Sequence, residues 1–292
     1  MAGLKEIKRR IRSVKNTEKI TYAMKLVSAA KLRKVQDALL QTREYATALE
    51  SLLQRIIVER TQEAATLPHP IMKARQEIRR VRLIVIGGRR GLCGAYNSNL
   101  NRLLDKALTR YQKGVEIEIV VIGTKPAEYC KRKGYNYISD YEDLSDNVEE
   151  WPLSEIYDSA ESAFINQEID EVTVLFTRFQ SAMSVTPSIE KLLPFSTDFH
   201  NISDRANNKI LYEPSAEEVV ATLMPRYAQA KLLLVCLEAK ASEQGSRMTA
   251  MDSATHNAGE LIDSLVITHN KLRQSSITND ILDIIGGSSV KK

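Results

Sequence analysis

Cysteine and histidine are scarce in this chain: Cys93, Cys130 and Cys236, with His69, His200, His256 and His269, are all it has in 292 residues. Three widely separated cysteines cannot build a disulfide framework or a zinc site, so a reducing compartment is expected, with the thiols acting as small buried hydrophobes. The histidines form no His-x-x-x-His or His-x-x-Glu pair. No run of about 18 uninterrupted apolar residues occurs, so no membrane-spanning helix and no direct membrane insertion are expected. The basic amphipathic start has no apolar signal-peptide core and is read as mature protein. A G-x-S-x-G elbow, a G-x-x-x-x-G-K-[ST] loop and a carboxylate pair standing clear of helix charges are also missing. No catalytic, cofactor-binding or metal-binding residue is therefore assigned, and the chain is not expected to be an enzyme by itself.

Proline and glycine are missing from residues 4–60, and this absence is informative. Leu4, Ile7, Ile11 and Val14 recur at three- and four-residue spacing, and the seam returns as Val35, Ala38, Thr42, Tyr45, Leu49, Leu52 and Ile56. One helix of roughly 55 residues, about 80 Å long, follows. From Leu223 a second seam runs through Tyr227, Ala230, Leu234, Leu237, Ala241, Gln244, Met248, Met251, Thr255, Ala258, Ile262, Leu265, His269, Leu272 and Ser276. Sustained four-three steps are the mark of a left-handed coiled coil. Pro214-Ser215 reads as the start of this helix and Gly286-Gly287 as its stop, with local kinks possible at Pro225 and Gly259.

Between the seams the rhythm changes. β-branched runs beginning at Val81, Glu116 and Glu171 alternate with helical stretches at 97–111, 126–133 and 154–165, which predicts a mostly parallel sheet with helices on its faces. The proline-bearing stretches 66–75 and 201–214 read as linkers. The expected division is 1–60 for the first coiled-coil helix, 77–205 for a central Rossmann-like α/β domain and 210–287 for the second helix, the two helices running antiparallel. Setting residue 58 level with residue 215 pairs positions whose numbers total about 273, which puts Met24 near residue 249. Residues from Gln274 onward then lack an intrachain partner and form a bare tip with Ile277, Ile281, Ile284 and Ile285 on its face.

The loop "GGRRGLCG", residues 87–94, follows a strand and precedes a helix, where doubly wound folds hold phosphates. Its glycine spacing is not G-x-G-x-x-G and no acid stands about 20 residues on, so a tight turn or partner contact is favoured over a cofactor. Charge is uneven: residues 1–34 carry eleven Lys or Arg against Glu6 and Glu18, a net +9, leaving −5 for the remainder. A basic helix could bind nucleic acid, but Tyr22 is the only aromatic there to stack on a base. A solvated face or an acidic protein partner are the other readings.

Residues 1–34, the "RGLCGAYN" loop, and the stretches "ASEQGSRMTAMDSATHNA" and "NKLRQSSITNDILDI" together resemble the gamma subunits of F-type ATP synthases. The resemblance implies a non-catalytic rotor shaft that couples proton flow to ATP synthesis or hydrolysis. Its coiled coil would stand inside a ring of alpha and beta subunits, and its central domain would sit at the foot against the epsilon subunit and the membrane ring of c subunits. It further implies that Met24 and Arg247 form a pair facing the beta subunits, that Arg273, Gln274, Thr278 and Asp283 make polar contacts with beta-subunit loops, and that Arg90 and Cys93 lie near acidic lever loops. The tip would turn in an apolar sleeve. Arg89 stands where the family generally has an acid, and Asp283 where glutamate is common. A peripheral position on the cytoplasmic face of a bacterial inner membrane is implied, with a nucleic-acid-binding protein as the competing reading and a nucleotide-dependent oxidoreductase as a distant third.

Overall fold

The computed structural model describes residues 2–62, 70–111, 114–195, 212–213 and 215–289. Helix α1 spans Ala2–Gln62 and helix α5 spans Ala216–Ser289. Between them lie β1 (Arg80–Ile86), α2 (Tyr96–Arg110), β2 (Glu116–Ile122), α3 (Thr124–Lys133), β3 (Tyr137–Tyr141), α4 (Leu153–Ile165), β4 (Glu171–Ser181) and β5 (Ser184–Leu193). The residues fall into two compact units, 1–30 with 247–292, and 31–246.

In the first unit α1 and α5 run antiparallel. Thr255 donates to Thr21 Oγ1 at 2.8 Å and Lys25 pairs with Asp252 at 2.6 Å. The contacting residues thus total 276 and 277, not 273. The expected register was set from a helix end near residue 58, whereas α1 continues to Gln62. Among the described residues, Thr21, Ser28, Arg247, Met251, Ala258 and Ile262 are the buried positions. Hydroxyls and small side chains let the two backbones approach closely at the seam. The helix does not stop at Gly286-Gly287: α5 runs through both to Ser289.

In the second unit the sheet has five strands in the order β3-β2-β1-β4-β5. The first four are mutually parallel and β5 returns antiparallel along β4. Strand residues alternate between two cores. Ile84, Ile86, Val120, Ile122, Val174 and Phe176 face α1, α4 and α5, whereas Leu83, Val85, Ile119, Val121 and Leu175 face α2 and α3. The period-two pattern of each strand sorts its side chains in this way. Helix α1 contributes Leu39, Ala46, Leu49, Leu53 and Ile56 to the first core, so Tyr45, expected on the seam, points outward and its neighbour Ala46 is buried.

Helix α5 is enclosed on every side here. All residues from 235 to 245 are buried, including Glu238, Lys240, Ser242, Glu243 and Gln244. An 18-residue window of this helix, mean hydropathy 1.2, is long and apolar enough by composition to cross a membrane, contrary to the expectation from uninterrupted runs. Within the fold, Val220, Met224, Ala228, Leu232, Val235 and Cys236 spend that apolarity on the first core.

Candidate partner-contact surface

The loop after β1 shows what this sheet is not arranged to do. In doubly wound sheets a dinucleotide binds where the strand order reverses, at the carboxyl ends of the strands. Here that place lies between β1 and β4, and α5 occupies it. Tyr96 Oη, at the start of α2, donates to Ala239 O at 3.1 Å, and Ser242 Oγ donates to Thr177 O beyond the end of the parallel pairing of β4 at 2.8 Å. Gly245 passes so close to the β4–β5 turn that an added Cβ would sit 3.2 Å from Ala182 Cα. The loop's own backbone is also engaged: Gly88 N–H donates to Asn97 Oδ1 at 3.1 Å, and Gly88 O accepts from Lys125 N at 2.9 Å. The turn at 87–94 is thus tied to α2 and α3 through Gly88.

Within that turn Arg90 is exposed and Cys93 is buried. Asn97 Nδ2 donates to the Cys93 sulfur at 3.2 Å, and the thiol lies 3.8 Å from Arg90 O. Leu92 stands outward at φ 60°, a left-handed conformation uncommon for a leucine. Arg89, at the position where an acid was expected, forms an ion pair with Asp143. The exposed part of the turn is thus Arg90, Gly91 and Leu92, and the buried Cys93 anchors it from beneath.

In the other unit, Met24 is half-buried on α1 and Arg247 is buried on α5. The observed register sets Met24 level with residues 252 and 253, about one and a half turns from Arg247. Arg273, Gln274, Ile277, Thr278 and Ile281 all lie exposed on α5, with Thr278 Oγ1 donating to Gln274 O at 2.9 Å. Leu272, expected on the seam, lies exposed instead, and Leu282 adds further exposed apolar area. Asp283, Ile284 and Ile285 lie in the helix, but their side chains fall outside the described residues.

A set of outward-facing apolar residues on α1 also escaped the reading: Ile20 is 60% exposed, and Tyr22, Leu26 and Val27 are more than half exposed. Their signal was available, since each is apolar yet falls off the seam. Among the described residues no group of His, Cys, Asp and Glu is placed to hold a metal ion.

Two long helices, antiparallel where they pair in the first unit and one of them lying across the ligand crevice of a doubly wound sheet in the second, define an α/β protein framed by its terminal helices. The chain matches the ATP synthase family over residues 3–290. The ATP synthase gamma chain of Moorella thermoacetica is 38% identical over 292 residues, all of both chains. That of Amoebophilus asiaticus is 40% identical over 292 residues, covering 99% of this chain and 98% of the relative. A chain from the Euglena gracilis mitochondrial ATP synthase OSCP/F1/c-ring structure shares the fold at a TM-score of 0.66, with 19% identity over 99% of this chain and 94% of the other. The Tetrahymena thermophila central stalk and c-ring structure contains another, at a TM-score of 0.58 and 22% identity over 80% and 99% of the two chains. The chain belongs to the ATP synthase gamma-chain family.

Proposed function

We propose that this chain is the central rotor shaft of an F-type ATP synthase and carries no catalytic site of its own. Family membership supports this assignment and sets aside the nucleic-acid reading of the basic helix. The carrying observation is the character of the exposed helix faces: lysines and arginines interspersed with apolar residues such as Ile20, Tyr22, Leu26 and Val27. A shaft must offer successive faces to several equivalent neighbours, and each 1.4 kcal/mol of preference for one orientation biases its population about tenfold. Exposed ion pairs contribute only about 0–1 kcal/mol each, so they guide the shaft without trapping it.

The partners on this reading are alpha and beta subunits around the helices, and an epsilon subunit with a ring of c subunits at the α/β domain. The complex lies at the cytoplasmic face of a bacterial inner membrane, in keeping with its bacterial relatives. Functionally the chain divides into 1–60, 77–205 and 210–287. Met24, Arg247, Arg273, Gln274, Thr278 and Asp283 contact beta-subunit loops, and the Arg90 turn, seated on Cys93, meets acidic levers. Ile277, Ile281, Ile284 and Ile285 turn in an apolar sleeve.

The test is the native particle. Isolated at moderate salt, the chain is expected to remain with alpha and beta subunits, whereas recovery as a free protein bound to nucleic acid would refute the reading. Met24→Lys, which adds a cation on the seam of a basic helix, is expected to lower the ratio of protons moved per ATP while leaving subunit stoichiometry unchanged. An unaltered ratio in a fully assembled complex would remove Met24 from the contact set.

A further inference from the structure

Asp146 lies on the segment joining β3 to α4 and is held by two lysines from two other elements. Lys31 Nζ on α1 donates to Oδ2 at 2.5 Å, and Lys240 Nζ on α5 donates to Oδ1 at 2.9 Å. The two arms differ in surroundings. The Lys240 side chain is 5% exposed and also pairs at 3.0 Å with Glu243, itself 4% exposed, whereas Lys31 keeps 42% of its side-chain surface in water. Breaking the inner bond would strand a buried charge, while breaking the outer one returns an ammonium to solvent at little cost. Burial pushes the Asp146 carboxyl up, and the two lysine hydrogen bonds together outweigh this and hold it well below the ordinary carboxylate range.

The segment itself is braced. Ser145 Oγ accepts from Asn147 N–H at 3.1 Å, and Trp151 Nε1 donates to Ser145 O at 2.9 Å. Val148 is buried in the core. Beside the contact a cavity of about 170 Å³, lined by Lys34, Val35, Ala38, Leu237 and Gln244 among others, gives α1 side chains room to move. On α1, Lys31 is the first residue of the compact unit 31–246.

We propose that Asp146 is a releasable clasp, fixed to α5 through Lys240 and detachable from α1 at Lys31, that sets how far α1 yields relative to α5 within this unit. The clasp stands on the geometry alone. Its consequence, that it tunes the torsional stiffness of the shaft, rests on the rotor reading.

Two measurements on full-length protein separate these statements. Amide hydrogen exchange in residues 31–39 is expected to quicken about five- to tenfold in Lys31→Met and in Asp146→Asn, with α2 and β1 unchanged and Lys31→Arg close to wild type. Lys31→Met keeps Lys240 and Asp146 paired, so it is the variant least exposed to misfolding. The double variant is expected to exchange no faster than the quicker single one, because both remove the same bond. Unchanged exchange at 31–39, or additive effects spread over the domain, would overturn the clasp.

In the assembled complex, Lys31→Met is expected to broaden the angular spread of rotational dwells. Normal dwells despite a loosened α1 would overturn the stiffness role. Failure of the wild-type chain to assemble or rotate would instead refute the rotor assignment and leave the exchange result standing.

Discussion

Gly245 and Cys130 show how closely single residues are specified where α5 and the sheet are enclosed. A Cβ at Gly245 would press on Ala182 Cα at 3.2 Å and on the Phe179 ring at 3.5 Å. Gly245→Val is therefore expected to lower stability by about 1–3 kcal/mol, and Gly245→Ala by less, in urea unfolding of the full chain. The Cys130 thiol is pushed up to about 11, first by burial and then by the Asp105 carboxylate. The unfolded chain then loses its thiol proton near pH 9 while the folded chain keeps it, so stability is expected to fall as pH rises from 9 to 11. The share of this thiol is roughly 2–3 kcal/mol, and Cys130→Ala is expected to remove that share from unfolding curves at successive pH values, leaving the part due to the raised thiol of Cys236. The burial of all three cysteines was legible from their scarcity and spacing. The Asp146 clasp was not, because its arms lie 115 and 94 residues away in the chain and only the tertiary fold brings them together.

The elements divide into those with a strong period and those at the sheet edges. Both long helices and strands β1, β2 and β4 were readable because burial on one seam, or on both faces, imposes an unmistakable rhythm. Strands β3 and β5 were not. The former is a five-residue edge strand, "YISDY", carrying an aspartate, and the latter, "SVTPSIEKLL", carries Pro187 where an outer strand tolerates it. Helix ends shifted by a residue or two: α2 begins at Tyr96 rather than Asn97, and α3 at Thr124 rather than Pro126. The passage of α5 through Gly286-Gly287 shows that two weak helix formers do not by themselves halt a long helix.

Ile277, Ile281 and Leu282 lie 49–59% exposed, so this segment of α5 holds little of the folded chain together. Ending the chain after Ser276 is expected to leave the thermal midpoint within about 2 °C of wild type and to reduce helicity only by the residues removed. A drop of 10 °C in a circular dichroism melt would show that the segment packs on the remainder.

Across the whole molecule the decisive property is uneven charge. The first 34 residues carry a net +9 and everything after them −5, so a chain with a formal total of only +4 presents a strongly positive helix to its surroundings. Under the rotor reading, association with an acidic ring is expected to slow at least severalfold as salt rises from about 0.05 to 0.5 M, because the screening length falls to a few ångströms. Lys8→Glu with Arg12→Glu, both on exposed positions, should flatten that dependence in stopped-flow assembly while leaving the unfolding midpoint nearly unchanged. The termini identified the family, and the alternation between them identified the sheet. Neither could disclose that α5 itself fills the crevice, since this depends on where a distant helix comes to rest.

That closure changes what kind of binding problem the sheet has solved. A coenzyme in the same crevice would come and go according to its supply in the cell. Here the occupant is tethered by a peptide chain at an effective concentration in the millimolar range or above. Dilution cannot remove it, and a free nucleotide competing for the same ground would have to unseat a covalently attached rival.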